Sequence, residues 1–331
     1  MIDDKKNFNE LVDMAMDNPA LKAMKPVVEK ELLHYEIFHA LDADGLLKNL
    51  VFQGGTSLRL CRGSARFSED LDFAGGTTFT AESMSKIKTC LETRIKERFG
   101  LKVEVSNKAF KVGEVEVPNV KVEKWWVLIE TAPENRAMPR QKIKLEISNI
   151  PAHTRELVPI RDNYGFLGAS TVMVNAETLD EIMADKVLAF PTSLLDNNGQ
   201  PVLASSAKIR HRDIWDLAWI LTKNVKLNPH LVVAKIADYG VEGYPDLLKR
   251  SIEQIPAIVK SSEFKKQMAR FIDSSTLGKT LDDDAYLDYL VSSVGGLFTQ
   301  MQSALEAMTE TAQQITSSSA SGVAKPNAKR N

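Results

Sequence analysis

The chain has 331 residues, 44% of them from the set AVILMFWYC, enough to bury the core of one large or two ordinary domains. Its 42 Lys and Arg against 44 Asp and Glu leave a formal net charge of −2, which argues against coating nucleic acid through bulk positive charge but leaves room for a local basic groove. With only Cys61 and Cys90 there is no disulfide framework and no cysteine zinc site; the opening MIDDKKNFNE lacks a signal's apolar stretch, and no run approaches the ~20 apolar residues of a membrane span, so the cytosol is the expected compartment.

In chain order, the first predicted helix covers residues 26–44. Pro26 opens it where a missing N–H costs nothing, Val28, Leu32 and Tyr35 form an apolar stripe, and Gly45 stops it. His34 and His39 are expected on its surface. Leu50-Val51-Phe52 reads as a buried strand entering a tight turn at Gly54-Gly55, with Thr56 or Ser57 capping a short helix through Arg62. Asp70-Leu-Asp-Phe73 follows at strand spacing, and 82–98 has helical character. Val103/Val105, Val120/Val122 and Ile143/Leu145/Ile147 alternate as half-buried, antiparallel strands. Beyond 177 the predicted elements are helices at 177–190, 206–222, 228–239, 245–255, 261–273 and 282–312, with 191–205 a loop. Residues 313–331 are rich in Ser, Ala and Lys and are predicted disordered. The expected architecture is α+β: a lobe with a mixed or antiparallel sheet over 1–175, then an all-helical lobe over 176–312 that completes a cleft.

The chemistry concentrates in Phe52-Gln-Gly-Gly-Thr-Ser-Leu-Arg59 and Arg66-Phe-Ser-Glu-Asp-Leu-Asp-Phe73. On a strand, i and i+2 share a face, so Asp70 and Asp72 project together while Leu71 and Phe73 point to the core. Two adjacent carboxylates repel unless a cation lies between them, and oxygen ligands suit Mg²⁺ or Mn²⁺. The pair reads either as metal ligands or as a solvated strand end. The glycine turn adds a second cue, because glycines admit a ligand to the backbone and helix N–H groups favour phosphate. On 141–148, Ile143, Leu145 and Ile147 take one face and Lys144 and Glu146 the other. Glu146 is either a third metal-facing acid, if this strand lies beside Asp70, or part of a surface charge ladder.

These residues resemble the nucleotidyltransferase motif of the DNA polymerase β superfamily. The likeness is closer to the AbiEii/AbiGii-type toxins of bacterial toxin–antitoxin and phage-abortive-infection systems. Val28-Glu-Lys-Glu-Leu32 precedes the motif as in that family, Leu179-Asp-Glu-Ile-Met-Ala-Asp-Lys186 resembles its lysine motif, and Arg210-His-Arg-Asp-Ile-Trp-Asp-Leu217 its late motif. The resemblance spans roughly residues 26–222. It implies Asp70, Asp72 and Glu146 as metal ligands and catalytic acids, Glu146 standing where many superfamily members carry Asp. It implies Gly54, Gly55, Thr56, Ser57, Arg66 and Ser68 around the nucleotide, Lys186 at the triphosphate, and Asp213 as the essential late acid. The activity implied is Mg²⁺- or Mn²⁺-dependent transfer from an NTP to RNA at the tRNA 3′ end, with a winged-helix antitoxin as partner and no membrane.

Unaided, Lys186 borders the apolar stripe of Leu179, Ile182, Met183, Val187 and Phe190, as either a cleft lysine or a solvated one. Asp213 beside Arg210 is either a catalytic acid or a structural ion pair. Ser68 reads as a ligand, a modification site or a hydrogen bond fixing the strand end. Of Trp125 and Trp126, one belongs in the core and the other is available to stack on a base. His211 is expected near the cleft, and Cys61 is a packing residue. Arg136, Arg140, Lys142 and Lys144, with Lys208, Arg210 and Arg212, form basic clusters suited to RNA or to plain solvation. Two rival functions stand: nucleotide transfer to a small molecule such as an antibiotic, and a non-catalytic nucleotide-sensing or antitoxin-binding module.

Overall fold

The computed structural model describes residues 7–76, 79–107, 121–132, 140–167, 172–196 and 198–321. Helix α1 (Phe8–Met16) starts in a capping box, the Asn7 side chain accepting from the Glu10 N–H and Glu10 reaching back to the Asn7 N–H. Helix α2 (Lys25–Ala43) carries Pro26 in its first turn, and Gly45 follows it with φ +67°. The remaining elements of this part are β1 (Val51–Gln53), α3 (Gly54–Arg62), β2 (Leu71–Ala74), α4 (Ala81–Phe99), β3 (Lys102–Asn107), β4 (Val122–Glu130), β5 (Gln141–Ser148), β6 (Arg155–Pro159) and β7 (Met173–Glu177).

The seven strands make one sheet in the order β3-β4-β5-β2-β1-β7-β6. The pairs β2–β5 and β1–β7 are parallel and the rest antiparallel, so the sheet is mixed. Strands β3, β4 and β5 are antiparallel neighbours, as predicted from Val103/Val105, Val122 and Ile143/Leu145/Ile147; Val120 lies outside the described residues. One face of the sheet is dry. Phe52 and Phe73 stand 5.2 Å apart there, with Phe38 of α2 4.8 Å from Phe52, and Ile143, Leu145 and Ile147 join the same core. Helices α1, α2 and α4 pack into it. Helix α2 is therefore buried on several sides, which corrects the surface placement of His34: its ring is fully buried and bonds to the Glu69 carbonyl at 3.2 Å, while His39 is half-buried.

The chain then becomes helical: α5 (Leu179–Thr192), α6 (His211–Leu221), α7 (Pro229–Tyr239), α8 (Tyr244–Val259), α9 (Ser262–Ala269), α10 (Ser274–Gly278) and α11 (Asp284–Ser321). These surround a second core in which Phe190 stacks on Phe298 at 5.6 Å. The helix expected over 261–273 is broken at Phe271, which leaves this core for the first one and accepts the Phe67 N–H at 2.8 Å. Asp273 then caps α10 by accepting from Ser275 and Thr276. Helix α11 runs past the expected end at 312: residues 313–321, expected to be disordered, are its last turns, and 322–331 lie outside the described residues. Among the described residues no helix is long and apolar enough to cross a membrane.

Candidate active site

The site grows from the edge of β2. Leu71 and Phe73 are buried in the core, so Asp72 turns to the opposite face. The parallel register sets Asp72 beside Glu146 on β5, and Asp70 precedes β2 by one residue. Lys144 lies among these acids, its Nζ 3.2 Å from Asp70 Oδ2 and 3.1 Å from Glu146 Oε2. The cleft walls strip water from Asp72, and Glu146 and Asp70 add like charge; against the pull of Lys144 and Arg210, its carboxyl is pushed up to about 7.

The glycines serve side chains as much as a ligand. Gly54 has φ +77°, and a Cβ there would stand 2.9 Å from Asp72 Oδ2. A Cβ on Gly55 would lie 2.3 Å from Arg66 Nη2. The pair thus lets a carboxylate and a guanidinium close on the start of α3. That helix begins at Gly54 behind the cap residue Gln53, earlier than the expected cap at Thr56 or Ser57, so its N-terminal N–H groups open beside Asp72. Thr56 donates its hydroxyl to the Asp70 carbonyl, and the Ser57 hydroxyl is buried. Neither lines the cavity in front of the acids, whereas Gly54, Gly55, Arg66 and Ser68 do.

That cavity holds about 670 Å³ and is closed on its far side by α5 and α6. Lys186 Nζ is 2.7 Å from Asp213 Oδ1 and 2.8 Å from Asp216 Oδ2. Arg66 binds Asp216 through two bonds of 2.8 and 2.7 Å, and Arg210 Nε donates to Asp213 at 2.7 Å. The wall is an alternating chain, Arg66–Asp216–Lys186–Asp213–Arg210, with one positive charge in excess. Burial opposes the charge on Lys186, but Asp213 and Asp216 outweigh it and keep the ammonium protonated. Burial would likewise raise Asp213, yet Lys186 and Arg210 hold its carboxyl well below the usual range. The structure therefore brings Asp70, Asp72, Glu146, Lys186 and Asp213 to one cavity.

Sequence reasoning left Asp216 without a specific partner, although it lies in the late motif. It set Lys144 among RNA-facing lysines, although the same alternation placed Lys144 and Glu146 on one face. It missed Asp185 on the cavity wall, whose carboxylate meets the buried Lys235 at 3.2 Å. His211 lines the cavity, as expected, and is buried. Arg140 is paired with Glu104 at 3.1 Å, and Arg136 lies outside the described residues.

Three carboxylates from adjacent strands are a hard-oxygen donor set, and the Lys144 ammonium already stands where that set calls for positive charge. The residues fit Mg²⁺ or Mn²⁺ in kind. Among the described residues no three acidic, histidine or cysteine groups are gathered closely enough to hold an ion as they stand. A cation would take over the place of Lys144.

A mixed sheet that sets paired acids beside a Gly-Gly helix start, faced by a basic wall of helices, defines a nucleotidyltransferase. The chain matches the family described as "Nucleotidyl transferase AbiEii toxin, Type IV TA system" over residues 37–289, and it belongs to that family. It is thus a nucleotidyltransferase toxin of a type IV toxin–antitoxin system, a class with an NTP as substrate and an antitoxin as partner. Among solved structures it is similar in fold to MenT4, a nucleotidyltransferase toxin from Mycobacterium tuberculosis H37Rv. The TM-score is 0.57 at 14% identity, over 89% of this chain and 90% of that one. JHP933 from Helicobacter pylori aligns at TM-score 0.45 and 18% identity over 88% of this chain and 97% of its own. No curated protein matches the chain.

Proposed function

We propose that the enzyme joins a nucleotide to RNA at the tRNA 3′ end, with Asp70, Asp72 and Glu146 holding Mg²⁺ or Mn²⁺. The supporting observation is the register of Asp72 against Glu146, facing a cavity whose other wall carries Lys186. An acceptor hydroxyl attacks the α-phosphorus of the NTP, a phosphorus–oxygen bond forms, and pyrophosphate leaves. A bound divalent cation supplies Lewis-acid charge to the attacking hydroxyl and the leaving group. The chain's own part is positioning and charge: Gly54 and Gly55 offer the start of α3 to phosphate oxygens, Ser68 adds a hydroxyl, and Lys186 adds the positive charge of the far wall. Lys208, Arg210 and Arg212 line the same cavity and favour a polyanionic acceptor. On this proposal the chain divides into a nucleotidyltransferase lobe over 1–175 and a helical lobe over 176–312, and is a cytosolic enzyme neutralised by a winged-helix antitoxin.

The test is incubation of the purified chain with each labelled NTP and either total RNA or hydroxylated small molecules, with and without a chelator. Label in a tRNA-sized band that chelation abolishes is the expected result. Label only in small molecules would move the antibiotic-type transferase to first place. No transfer to anything would favour the nucleotide-sensing module.

A further inference from the structure

We propose that the open face of β4 and β5 beside the carboxylates receives the single-stranded 3′ end of the acceptor, and that a base near that end stacks on Trp126. The inference rests on the RNA-acceptor reading above and adds the place and the residue.

The register places Trp126 opposite Lys144 and Lys124 opposite Glu146. Cross-strand partners share a face, so Trp126 and Lys124 look out on the same side as the catalytic acids. With strands ~4.8 Å apart, Trp126 lies about 10 Å from the β2 strand of Asp72, roughly three stacked-base rises. Its strand neighbours Trp125 and Val127 turn to the core. Trp126 itself is half-buried, and its ring carries the ammonium of Lys142, 3.6 Å from the centroid. Lys142 is exposed. An indole that served only packing would be covered by apolar side chains, whereas this one is covered by an exposed cation at the edge of the site. An aromatic ring flanked by lysines is the combination that binds single strands, the ring taking a base face and the ammonium a phosphate. When a base stacks, Lys142 moves from the ring to the backbone. Lys124 and Lys142 give this strip positive charge to meet RNA phosphates, and Lys144, paired with Glu146 and Asp70, joins it to the catalytic cavity. A small acceptor bound inside the cavity has no use for a ring this far out.

The experiment measures transfer by the full chain to an RNA acceptor, varying RNA and NTP separately, for wild type, Trp126→Ala, Trp126→Phe and Lys142→Ala. Acceptors abasic at each of the last three positions are included. Trp126→Ala is expected to raise KM for RNA roughly tenfold, within the range of one base–aromatic stack. KM for the NTP should stay unchanged, and Trp126→Phe should retain most of the wild-type value. One abasic acceptor should reproduce the loss in wild type and cause no further loss in Trp126→Ala. If Trp126→Ala is poorly folded, the abasic series read on wild type and Trp126→Phe decides. Transfer to RNA with the same KM in wild type and Trp126→Ala would overturn the inference and leave the RNA reading intact. Absence of transfer to RNA in wild type would overturn both. Unchanged RNA use with lost neutralisation by antitoxin would assign this face to the antitoxin and overturn the proposal.

Discussion

At the scale of single residues, the acids of the site and a buried histidine lead to separate experiments. Burial and the like charges of Glu146 and Asp70 push the Asp72 carboxyl up to about 7, against the pull of Lys144 and Arg210. Asp70→Asn or Asp72→Asn keeps the shape and removes a ligand charge, so transfer should drop by ~100-fold or more with the melting temperature preserved. A folded variant with wild-type rates would remove the metal assignment. His34 lies beneath the same loop, with Lys30 and Asp70 as its charged neighbours. Burial lowers its pKa from 6.5 to about 4, the Glu69 carbonyl and Asp70 opposing in part. Its Nδ1 is buried without a hydrogen-bond partner, so a second ring proton would find no acceptor. The unfolded chain binds that proton below pH 6.5 and the folded chain does not until about 4. The contribution of His34 is therefore complete above 6.5 and is lost as pH falls towards 4, by up to about 3 kcal/mol. Denaturation curves at pH 7.5, 6 and 5 should show a shallower decline for His34→Gln than for wild type. Parallel declines would remove His34 from the acid sensitivity.

At the scale of elements, what was legible followed from local periodicity. The alternation of 141–148 placed Ile143, Leu145 and Ile147 in the core and Glu146 on the opposite face, as the sheet has it. Its parallel pairing with β2 was not legible, because α4, β3 and β4 intervene in the chain. Helix α1 and strands β6 and β7 were missed: β7 is only Met173–Glu177, its buried residues mix Val174 and Ala176 with the charged Glu177, and its partners β1 and β6 hold it in place. The Gly-Gly motif was legible as a close approach, but not that Asp72 and Arg66 were what approached. Helix α11 shows the limit in another way. Its core contacts come from Leu290, Val294, Leu297, Phe298 and Met301, with Leu305 partly packed, and 313 and 314 are exposed. The helix continues past its packed face through Ala, Gln and Glu, which favour helix without tertiary support. Ending the chain at Ala312 should therefore leave thermal stability and catalysis nearly unchanged. A fall of more than ~4 °C, about 3 kcal/mol for a chain of this size, would show that the last turns dock.

At the scale of the whole molecule, the two cores are clasped at the active site itself. Arg66 and Phe67, from the segment between α3 and β2, reach Asp216 of α6 and the Phe271 carbonyl, and Leu58 of α3 packs in the helical core. The wall of the cavity and the joint between the two cores are thus one network, and its members need not act alike. Lys186 touches both carboxylates, but each also has its own arginine, Arg210 for Asp213 and Arg66 for Asp216. Lys186→Met removes the positive excess of the wall while leaving both acids paired. Its stability cost should stay near the ~1.5–3 kcal/mol of a charged hydrogen bond. Asp216→Ala instead strands the Arg66 guanidinium, 2% exposed, with no carboxylate, and it cuts the tie between the two cores. Removing one partner of such a buried pair costs about 3–5 kcal/mol, a large part of a typical domain's 5–15. Lys223, over the Trp219 ring at 4.7 Å and remote from the cavity lining, serves as the control. Denaturation and NTP kinetics on the three variants separate the roles. Lys186→Met should remain folded with strongly weakened NTP use, Lys223→Ala should match wild type, and Asp216→Ala should lose stability first and activity with it. Equal NTP kinetics for Lys186→Met and Lys223→Ala would make Lys186 a structural tie alone, and the far wall would then contribute shape to the nucleotide site without contributing its charge.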